Sequence, residues 1–328
     1  MTYKFLMMLS FIVCHTPYRL LMGIGRILGN LYNLLVKKER ERAVKQMTEA
    51  LQIPEAEARR LVKESFVNLA RNVLEILYMP HLNENNFRDY IEIDHLERMK
   101  EALAEGRGVV VLTGHIGTWE WLSASFTLNG LPVTAIAKPQ PNIQYTQVLD
   151  DLRATIHVEI FSRGTSELLA AARALKKGKI LGFLADQDAG PGGAFIDFLG
   201  KPASTPMGPA VFSRKFNSPV VPAFILRQPN GKHKVVIGEV LRYEDHGDTD
   251  KDLYDFTVRM TKIVEQIIRE NPTQWLWFQK RWNTTPDMAT KRTKHHTVGD
   301  KRLRRKAAAN EAAKRAAEAE KKEEQPAK

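Results

Sequence analysis

A histidine and a glutamate stand close together in the segment LTGHIGTWEW, residues 112–121. His115 follows an apolar run, and Glu120 lies five positions further along the chain. An imidazole can act as a base near neutral pH, and a carboxylate that binds its second nitrogen fixes the tautomer and stabilises the imidazolium. The spacing therefore predicts general base catalysis, with His115 as the base and Glu120 as its orienting partner.

No covalent nucleophile accompanies this pair in the sequence. The chain has no serine in a G-x-S-x-G turn here, and its single cysteine, Cys14, is remote from the motif. The attacking group would then come from the substrate. We expect Gly114 and Gly117 to permit close backbone approach, and amides at the start of the next helix to stabilise an oxyanion. A single cysteine also excludes an internal disulfide and a thiolate metal cluster.

Short buried strands alternate with helices through the middle of the chain. Apolar runs predict strands within GRGVVVLTGH, KKGKILGFLADQD, SPVVPAFILR and KHKVVIGEVL, the last two paired across QPNGK. Helical spacing predicts helices between residues 40 and 80, one of them opening near Pro54, and over residues 253–270. The predicted fold class is α/β, with a mixed, mostly parallel sheet covered by helices on both faces. His115 then lies at the carboxyl end of a strand, where ligands gather in such sheets.

The two ends of the chain differ in composition from its middle. Residues 1–36 hold apolar runs that are shorter than the roughly 18 to 20 residues of a clean span, and basic residues follow at once. We expect residues 1–36 to be a membrane anchor or interfacial helix, residues 37–286 to be the α/β domain, and residues 287–328 to be a basic, low-complexity, disordered tail. The spacing of Gly23, Gly25 and Gly29 favours close helix packing over nucleotide binding.

The charge of the chain points to an anionic partner. The 328 residues carry a formal net charge of +11, and 43% of them are hydrophobic. Nucleic acid, an acidic membrane surface and an acidic substrate would all suit this charge. Most of the excess lies in the tail and behind the N-terminal apolar segment, and no recognisable DNA- or RNA-binding module is present. The sequence therefore predicts a membrane surface as a partner, and no nucleic acid.

An ordered series of blocks resembles a known family. The blocks are GHIGTWEW, RATIHVEIFSRG, LKKGKILGFLADQDAGPGG, FLGKPASTPMGPAVFSRKFNSPVVPAF and NPTQWLWFQKRW. In this order, between about Arg40 and Trp282, they resemble the lipid A biosynthesis acyltransferases of the lauroyl and myristoyl transferase type. That family belongs to the lysophospholipid acyltransferase superfamily, so the resemblance implies a glycerol-3-phosphate acyltransferase-like fold. Two positions depart from its pattern: Gln279 stands where a histidine is common, and Asn283 where a basic residue is common.

The resemblance implies a reaction and its partners. His115 would deprotonate a hydroxyl of a glycolipid, with a lipid A precursor as the preferred acceptor. The oxygen would then attack a thioester carried by acyl carrier protein or coenzyme A, without a metal ion or other cofactor. Such an enzyme would act at the cytoplasmic face of the inner membrane. A lysophospholipid or a phosphatidylinositol mannoside-type glycolipid is the alternative acceptor.

The same blocks contain further charged candidates. By resemblance, Arg153, Arg163, Asp186 and Asp188 would contact the acceptor or the donor, and the planar guanidinium group of arginine suits phosphate recognition. Lys138, which follows another short apolar run, is a further candidate phosphate contact.

Two alternatives concern the later blocks. Asp186 and Asp188 could instead form the D-x-D pair that carries a metal ion in many glycosyltransferases, an interpretation that leaves His115 and Glu120 without a role. The aromatic residues of the closing block are expected to be core, with the lining of an acyl groove as the alternative. They are Trp275, Trp277, Phe278 and Trp282.

Overall fold

The computed structural model describes residues 2–137, 140–162 and 165–288. Its helices are α1 (Thr2–Cys14), α2 (Tyr18–Leu35), α3 (Lys37–Leu51), α4 (Glu55–Tyr78), α5 (Phe87–Tyr90), α6 (Leu96–Ala104), α7 (Trp119–Thr127), α8 (Ile143–Thr155), α9 (Thr165–Lys176), α10 (Gly208–Phe216) and α11 (Thr249–Glu270). Its strands are β1 (Ile91–Asp94), β2 (Val109–Thr113), β3 (Val133–Ala137), β4 (Glu159–Ser162), β5 (Ile180–Leu184), β6 (Ala194–Phe198), β7 (Lys201–Thr205), β8 (Val220–Arg227) and β9 (His233–Ile237).

One large sheet forms the centre of the described part of the chain. Its strand order is β1-β9-β8-β2-β5-β3-β4, and β6 and β7 form a separate hairpin. Strand β8 pairs antiparallel with β9, whereas β2 runs parallel to both β5 and β8. The outer pairs, β1 with β9 and β3 with β4 and β5, are also parallel. This topology confirms the predicted mixed, mostly parallel sheet and the pairing of β8 with β9 across QPNGK.

Both faces of the sheet are buried. Strand β2 is buried at every residue. Val109 and Val111 pack into the apolar cluster that contains α7 residues, and Val110 and Leu112 pack into the cluster that contains α11 residues. Because side chains alternate between the two faces of a strand, this division confirms that helices cover the sheet on both sides.

Local signals explain where the long helices begin. Helix α4 starts directly after Pro54 and carries acidic residues in its first turn, as the sequence predicted. Helix α11 begins at Thr249, earlier than predicted, because the side chain of Asp248 accepts a hydrogen bond from the amide of Lys251 and caps the helix.

The N-terminal segment forms two helices, α1 and α2, that lie against α4. Gly25 and Gly29 face α4 so closely that a Cβ atom would lie 2.7 Å from Arg71 and 2.4 Å from the backbone of Val67, whereas Gly23 faces open space. Close packing is thus confirmed for two of the three glycines. Other apolar side chains of these helices remain exposed, among them Phe5, Phe11, Leu20, Ile27, Leu31, Leu34 and Leu35.

None of the described helices combines the length and apolar character needed to cross a membrane. The expected membrane anchor or interfacial helix of residues 1–36 stays a prediction. The predicted disordered tail lies, from residue 289 onward, outside the described residues.

Candidate active site

The ends of two neighbouring strands bring His115 and Asp186 together. Strand β2 ends at Thr113 and β5 at Leu184, and the two strands are paired in parallel register. The pairing continues beyond them, since the amide of Ala185 donates to the carbonyl of Thr113. His115 and Asp186 therefore leave the same edge of the sheet side by side, although 71 residues separate them in the chain.

Both oxygens of Asp186 are engaged by side chains. Its Oδ1 lies 2.8 Å from Nδ1 of His115. Its Oδ2 accepts hydrogen bonds from Nε1 of Trp275 at 2.8 Å and from Nε2 of Gln279 at 3.3 Å. A carboxylate at Nδ1 favours the tautomer that carries the proton there, so Nε2 is left as the acceptor. Gln187 donates to Nε2 at 3.4 Å.

The pKa values of the two groups shift in opposite directions. Burial disfavours the charged form of His115, but the charge and the hydrogen bond of Asp186, with the charge of Glu120, outweigh it and raise the histidine pKa. Burial likewise opposes ionisation of Asp186, but its charge interaction and hydrogen bond with His115 and the hydrogen bond from Trp275 hold its pKa well below the usual range. His115 is thus a strengthened base beside a carboxylate that is ionised at neutral pH.

Glu120 binds Arg153 instead of the predicted His115. Its two carboxylate oxygens accept from Nη2 and Nε of Arg153 at 2.6 and 2.9 Å. Glu120 is in the first turn of α7 and Arg153 in the last turn of α8, and this forked pair binds more strongly than a carboxylate and a neutral imidazole. Asp186 thus takes the position that the sequence assigned to Glu120. A catalytic role for Glu120 stays a prediction, because its charge still reaches His115.

A cleft of about 1130 Å³ opens beside these groups. His115, Glu120, Arg153, Gln187 and Asp188 line its polar part. Its remaining wall is largely apolar and comes from β2, β3, β5, α7 and neighbouring segments, with lining residues that include Val111, Leu122, Phe126, Val133, Val158, Ile160 and Ile180. Such a cleft can hold a hydrocarbon chain with its reactive end near the histidine.

Two glycines allow the turn that carries His115, residues 114–118 and here called the catalytic turn, to pack closely against neighbouring segments of the chain. Gly117 has a φ of 57°, and a Cβ atom there would lie 1.9 Å from the carbonyl oxygen of Ile225. A Cβ atom on Gly114 would lie 3.2 Å from the carboxyl carbon of Asp186. Close approach is therefore confirmed, but the approaching groups belong to the protein. The amides of Ile116 and Gly117 donate to Gly114 and Gln274, so these two are not available for an oxyanion.

A buried ionic network supports the turn from below. Glu75 of α4 is fully buried and binds both terminal nitrogens of Arg227 at 2.7 and 2.8 Å. The hydroxyl of Thr118 donates to Glu75, and the amide of Asn72 donates to the carbonyl of Gly117 at 2.7 Å. Burial opposes ionisation of Glu75, but the charge of Arg227 and the contacts with His233 and Arg227 hold the pKa of Glu75 far below its usual range.

The remaining predicted residues divide by location. Asp188 lines the cleft, and its Oδ2 accepts from Thr284 at 2.7 Å. Lys138 and Arg163 lie outside the described residues. Asp186 was predicted to contact a substrate, but it is fully buried with both oxygens bound to side chains, so in this geometry it serves His115. The same contacts argue against a D-x-D site, because Asp186 presents no free oxygen to a cation.

The aromatic residues of the closing block are core, as the sequence favoured. Trp275 and Trp277 are completely buried, with Phe278 and Trp282 packed on the same cluster. Sequence reasoning missed that Trp275, Gln279 and Gln187 contact the site. The signal that was available is the position of ADQD directly after a buried strand parallel to β2, because neighbouring strand ends share one edge of the sheet.

Comparison with known proteins places this geometry in a family context. The model of the family described as "Bacterial lipid A biosynthesis acyltransferase" matches residues 2–284. The lipid A biosynthesis lauroyltransferase of Escherichia coli is 26% identical over 84% of this chain and 89% of its own length. The palmitoleoyltransferase of the same organism is 25% identical over 82% and 87%. A phosphatidylinositol mannoside acyltransferase of Mycolicibacterium smegmatis is 22% identical over 68% and 72%.

Proposed function

The chain belongs to the bacterial lipid A biosynthesis acyltransferase family, and from that premise we propose that it transfers a fatty acyl chain from a thioester to a hydroxyl of a lipid A precursor. The single observation that carries the proposal is the His115–Asp186 pair at the polar end of a largely apolar cleft. The names of the relatives support a glycolipid acceptor. The acyl donor, acyl carrier protein or coenzyme A, is part of the proposal.

In the proposed reaction, Asp186 keeps the Nδ1 proton of His115 in place and Nε2 takes the proton of the acceptor hydroxyl. The hydroxyl oxygen attacks the thioester carbonyl and forms a tetrahedral intermediate. The intermediate collapses, the carbon–sulfur bond breaks, and the imidazolium returns its proton to the thiolate that leaves. An ester and a free thiol result, and the enzyme forms no covalent bond with the acyl group.

The cleft suggests how the two substrates are held. The apolar wall formed by β2, β3, β5 and α7 suits the acyl chain of the donor, since burying each methylene contributes about 0.8 kcal/mol. Arg153 and Asp188, with Lys138 and Arg163, remain the candidates for contacts to the acceptor or the donor. Arg153 would act from within its ion pair with Glu120.

The place of action is proposed to be the cytoplasmic face of the inner membrane. The exposed apolar side chains of α1 and α2 support interfacial binding. Lys37 and Lys38, both exposed, directly follow the apolar end of α2 and could meet anionic headgroups.

An acyl-transfer assay with purified protein tests the function. Acyl carrier protein or coenzyme A thioesters are supplied with a lipid A precursor, and mass spectrometry detects the acceptor with one added acyl group. We expect transfer by the wild-type protein and a loss of about 10²- to 10⁴-fold in kcat for His115→Ala, because the base is removed. His246→Ala, which alters an exposed histidine that does not line the cleft, is the matched control.

Two results would contradict the proposal. Transfer by His115→Ala at the wild-type rate would remove the base from the mechanism. Transfer to a lysophospholipid or a phosphatidylinositol mannoside, with none to a lipid A precursor, would replace the acceptor and keep the chemistry.

A further inference from the structure

The closing segment, residues 271–284, contacts Asp186 at Oδ2, an oxygen to which the proposed reaction assigns no step. Trp275 and Gln279 both donate to Oδ2 of Asp186, the oxygen that does not face His115. We propose that Trp275 and Gln279 are positioning residues, which hold Asp186 so that Oδ1 meets Nδ1 of His115 and which limit how tightly the imidazole binds its proton. The inference rests on the proposed role of His115 as the base.

The closing segment is itself held in place, so its donors are fixed before a substrate arrives. Trp275 pairs with Ile116 in an antiparallel bridge next to the catalytic histidine. The amide of Gly117 donates to the carbonyl of Gln274 at 2.9 Å, and Gln46 donates to the carbonyl of Gln279 at 3.0 Å. These contacts join the segment to the catalytic turn and to α3.

Fixed donors on Oδ2 change what Asp186 can do for His115. A hydrogen bond to a carboxylate stabilises its charged form and reduces the charge available to a second partner. Here His115 contributes most to keeping the fully buried carboxylate ionised, and the hydrogen bond from Trp275 adds to that effect. The bonds from Trp275 and Gln279 also draw on the charge that the carboxylate offers to the imidazole. A base works best when its proton affinity suits the operating pH, so an unshared carboxylate would leave His115 protonated over more of the neutral range.

Among the described residues, four other charged groups surround the His115–Asp186 pair and are left unchanged by substitutions at Trp275 or Gln279. Glu120 and Arg153 approach the histidine from α7 and α8 as an ion pair. Asp188 lies in the loop after β5, and the charge of Asp186 reaches the buried Arg281 of the closing segment. None of these four groups is altered when the Trp275 indole or the Gln279 amide is replaced.

Two tryptophans of the closing segment offer a matched test. Trp275→Phe removes the N–H group that donates to Asp186, whereas Trp277→Phe removes one that donates to the carbonyl of Pro272. Both rings are fully buried in the same cluster, 4.7 Å apart, so the two substitutions remove similar volume from one place. Gln279→Met, which removes the second donor with little change in size, is an independent variant.

The decisive measurement is an NMR titration of His115 in histidine-labelled full-length protein, with the resonance assigned by its loss in His115→Asn. We expect the titration midpoint to move to higher pH in Trp275→Phe and in Gln279→Met, and to stay at the wild-type value in Trp277→Phe. The acid limb of kcat/KM should follow, with about a two- to fivefold lower value at pH 6 for Trp275→Phe. The midpoint temperature of thermal unfolding should fall by a similar amount in the two tryptophan variants.

The outcomes separate this inference from the proposed function. A midpoint that is unchanged, or moved equally by both tryptophan substitutions, would overturn the positioning role. A midpoint that moves only in Trp275→Phe and Gln279→Met supports that role even without any turnover. If the acid limb of kcat/KM stays at its wild-type pH while the His115 midpoint shifts, His115 is not the base. The proposed function would then be contradicted, and the positioning role would still be supported.

Discussion

At the scale of single residues, the partner of His115 decides how the site works. The carboxylate that binds Nδ1 is Asp186, 71 residues away in sequence, and the nearer Glu120 binds Arg153. The Asp186 carboxylate is fully buried, so it orients the imidazole without competition from water. The two residues of the H-x4-E motif thus line the same cleft, but His115 binds Asp186 and Glu120 binds Arg153.

Two substitutions distinguish these carboxylates. Asp186→Asn should lower kcat by about a thousandfold, because an amide at this position favours the wrong tautomer of His115. Glu120→Gln should act mainly on KM and on stability, since it removes the closer charge partner of the largely buried Arg153 and leaves it only the longer contact to Asp150. Steady-state kinetics with denaturation curves measure both effects. If Asp186→Asn kept wild-type kcat while Glu120→Gln lost it, Glu120 would regain the orienting role.

The raised pKa of His115 predicts the pH dependence of activity. Because Asp186 and Glu120 together raise the His115 pKa above its ordinary value of 6.5 against the effect of burial, the neutral base becomes the major form only at a pH above 6.5. We expect kcat/KM to rise with pH through an apparent pKa higher than 6.5, and a pH-rate profile measures it. An acid limb centred below 6.5 would contradict this assignment.

The same shifts give the pair opposite effects on stability. The raised pKa of His115 contributes stability that is present below pH 6.5 and is lost as the pH rises through the folded-state pKa. The depressed pKa of Asp186 contributes stability above its ordinary value of 3.8, and this is lost as the pH falls towards its folded-state pKa. The pair of protonated His115 and ionised Asp186 is therefore most stabilising at mildly acidic pH, where little of the proposed base is in its neutral, active form.

At the scale of elements, the catalytic turn 114–118 is held by three neighbours. Helix α4 contributes Asn72 and Glu75, strand β8 contributes Arg227 beneath them, and the closing segment contributes Gln274. These hydrogen bonds hold the turn at Gly117 and Thr118, shortly after His115. Rigid support of this kind places a catalytic group more accurately than a free loop would.

Breaking the ionic network below the turn should destabilise the protein strongly. Arg227→Met leaves Glu75 as a buried charge without its cation, so the free energy of unfolding should fall by about 3–5 kcal/mol. Arg242→Met removes a more exposed ion pair with Glu105 and should lower it by less than about 1 kcal/mol. Urea denaturation of both variants measures the difference. Equal losses would mean that burial does not govern the strength of these pairs.

At the scale of the whole molecule, two surfaces meet the proposed substrates. The cleft lies at the carboxyl edge of the sheet beside α7 and α8. Helix α1 is tied to α8 by Tyr3, whose hydroxyl donates to Asp151 at 2.6 Å. The exposed apolar face of α1 is therefore joined to a helix that contributes to the wall of the cleft, an arrangement that suits the proposed acceptor, a lipid drawn from a membrane.

The apolar face of α2 should determine membrane binding. Ile27→Asp combined with Leu31→Asp places charge among exposed apolar side chains, so we expect cosedimentation with phosphatidylglycerol-containing vesicles to fall. Val211→Asp, a similarly exposed apolar residue on α10, should leave binding unchanged. If the double variant cosedimented as well as the wild-type protein, the apolar face of α2 would not contribute to membrane binding.

The sequence by itself determined four of the strands and the position of the proposed base. The buried runs of β2, β5, β8 and β9 follow from apolar composition over a few residues, and His115 follows β2 directly. These features are local, because a strand and the residue after it depend on neighbouring side chains. The burial of the aromatic residues in the closing block was also predictable, since large aromatics are mostly buried.

Only the tertiary structure decided what His115 contacts. The pairing of β2 with β5 places Asp186 at Nδ1, and the fold of the closing segment brings Trp275 and Gln279 to the same carboxylate. Helix α8 draws Glu120 away through Arg153. Strand order and helix docking set these contacts through burial and charge pairing between distant parts of the chain, and a short motif contains no information about which distant group will arrive.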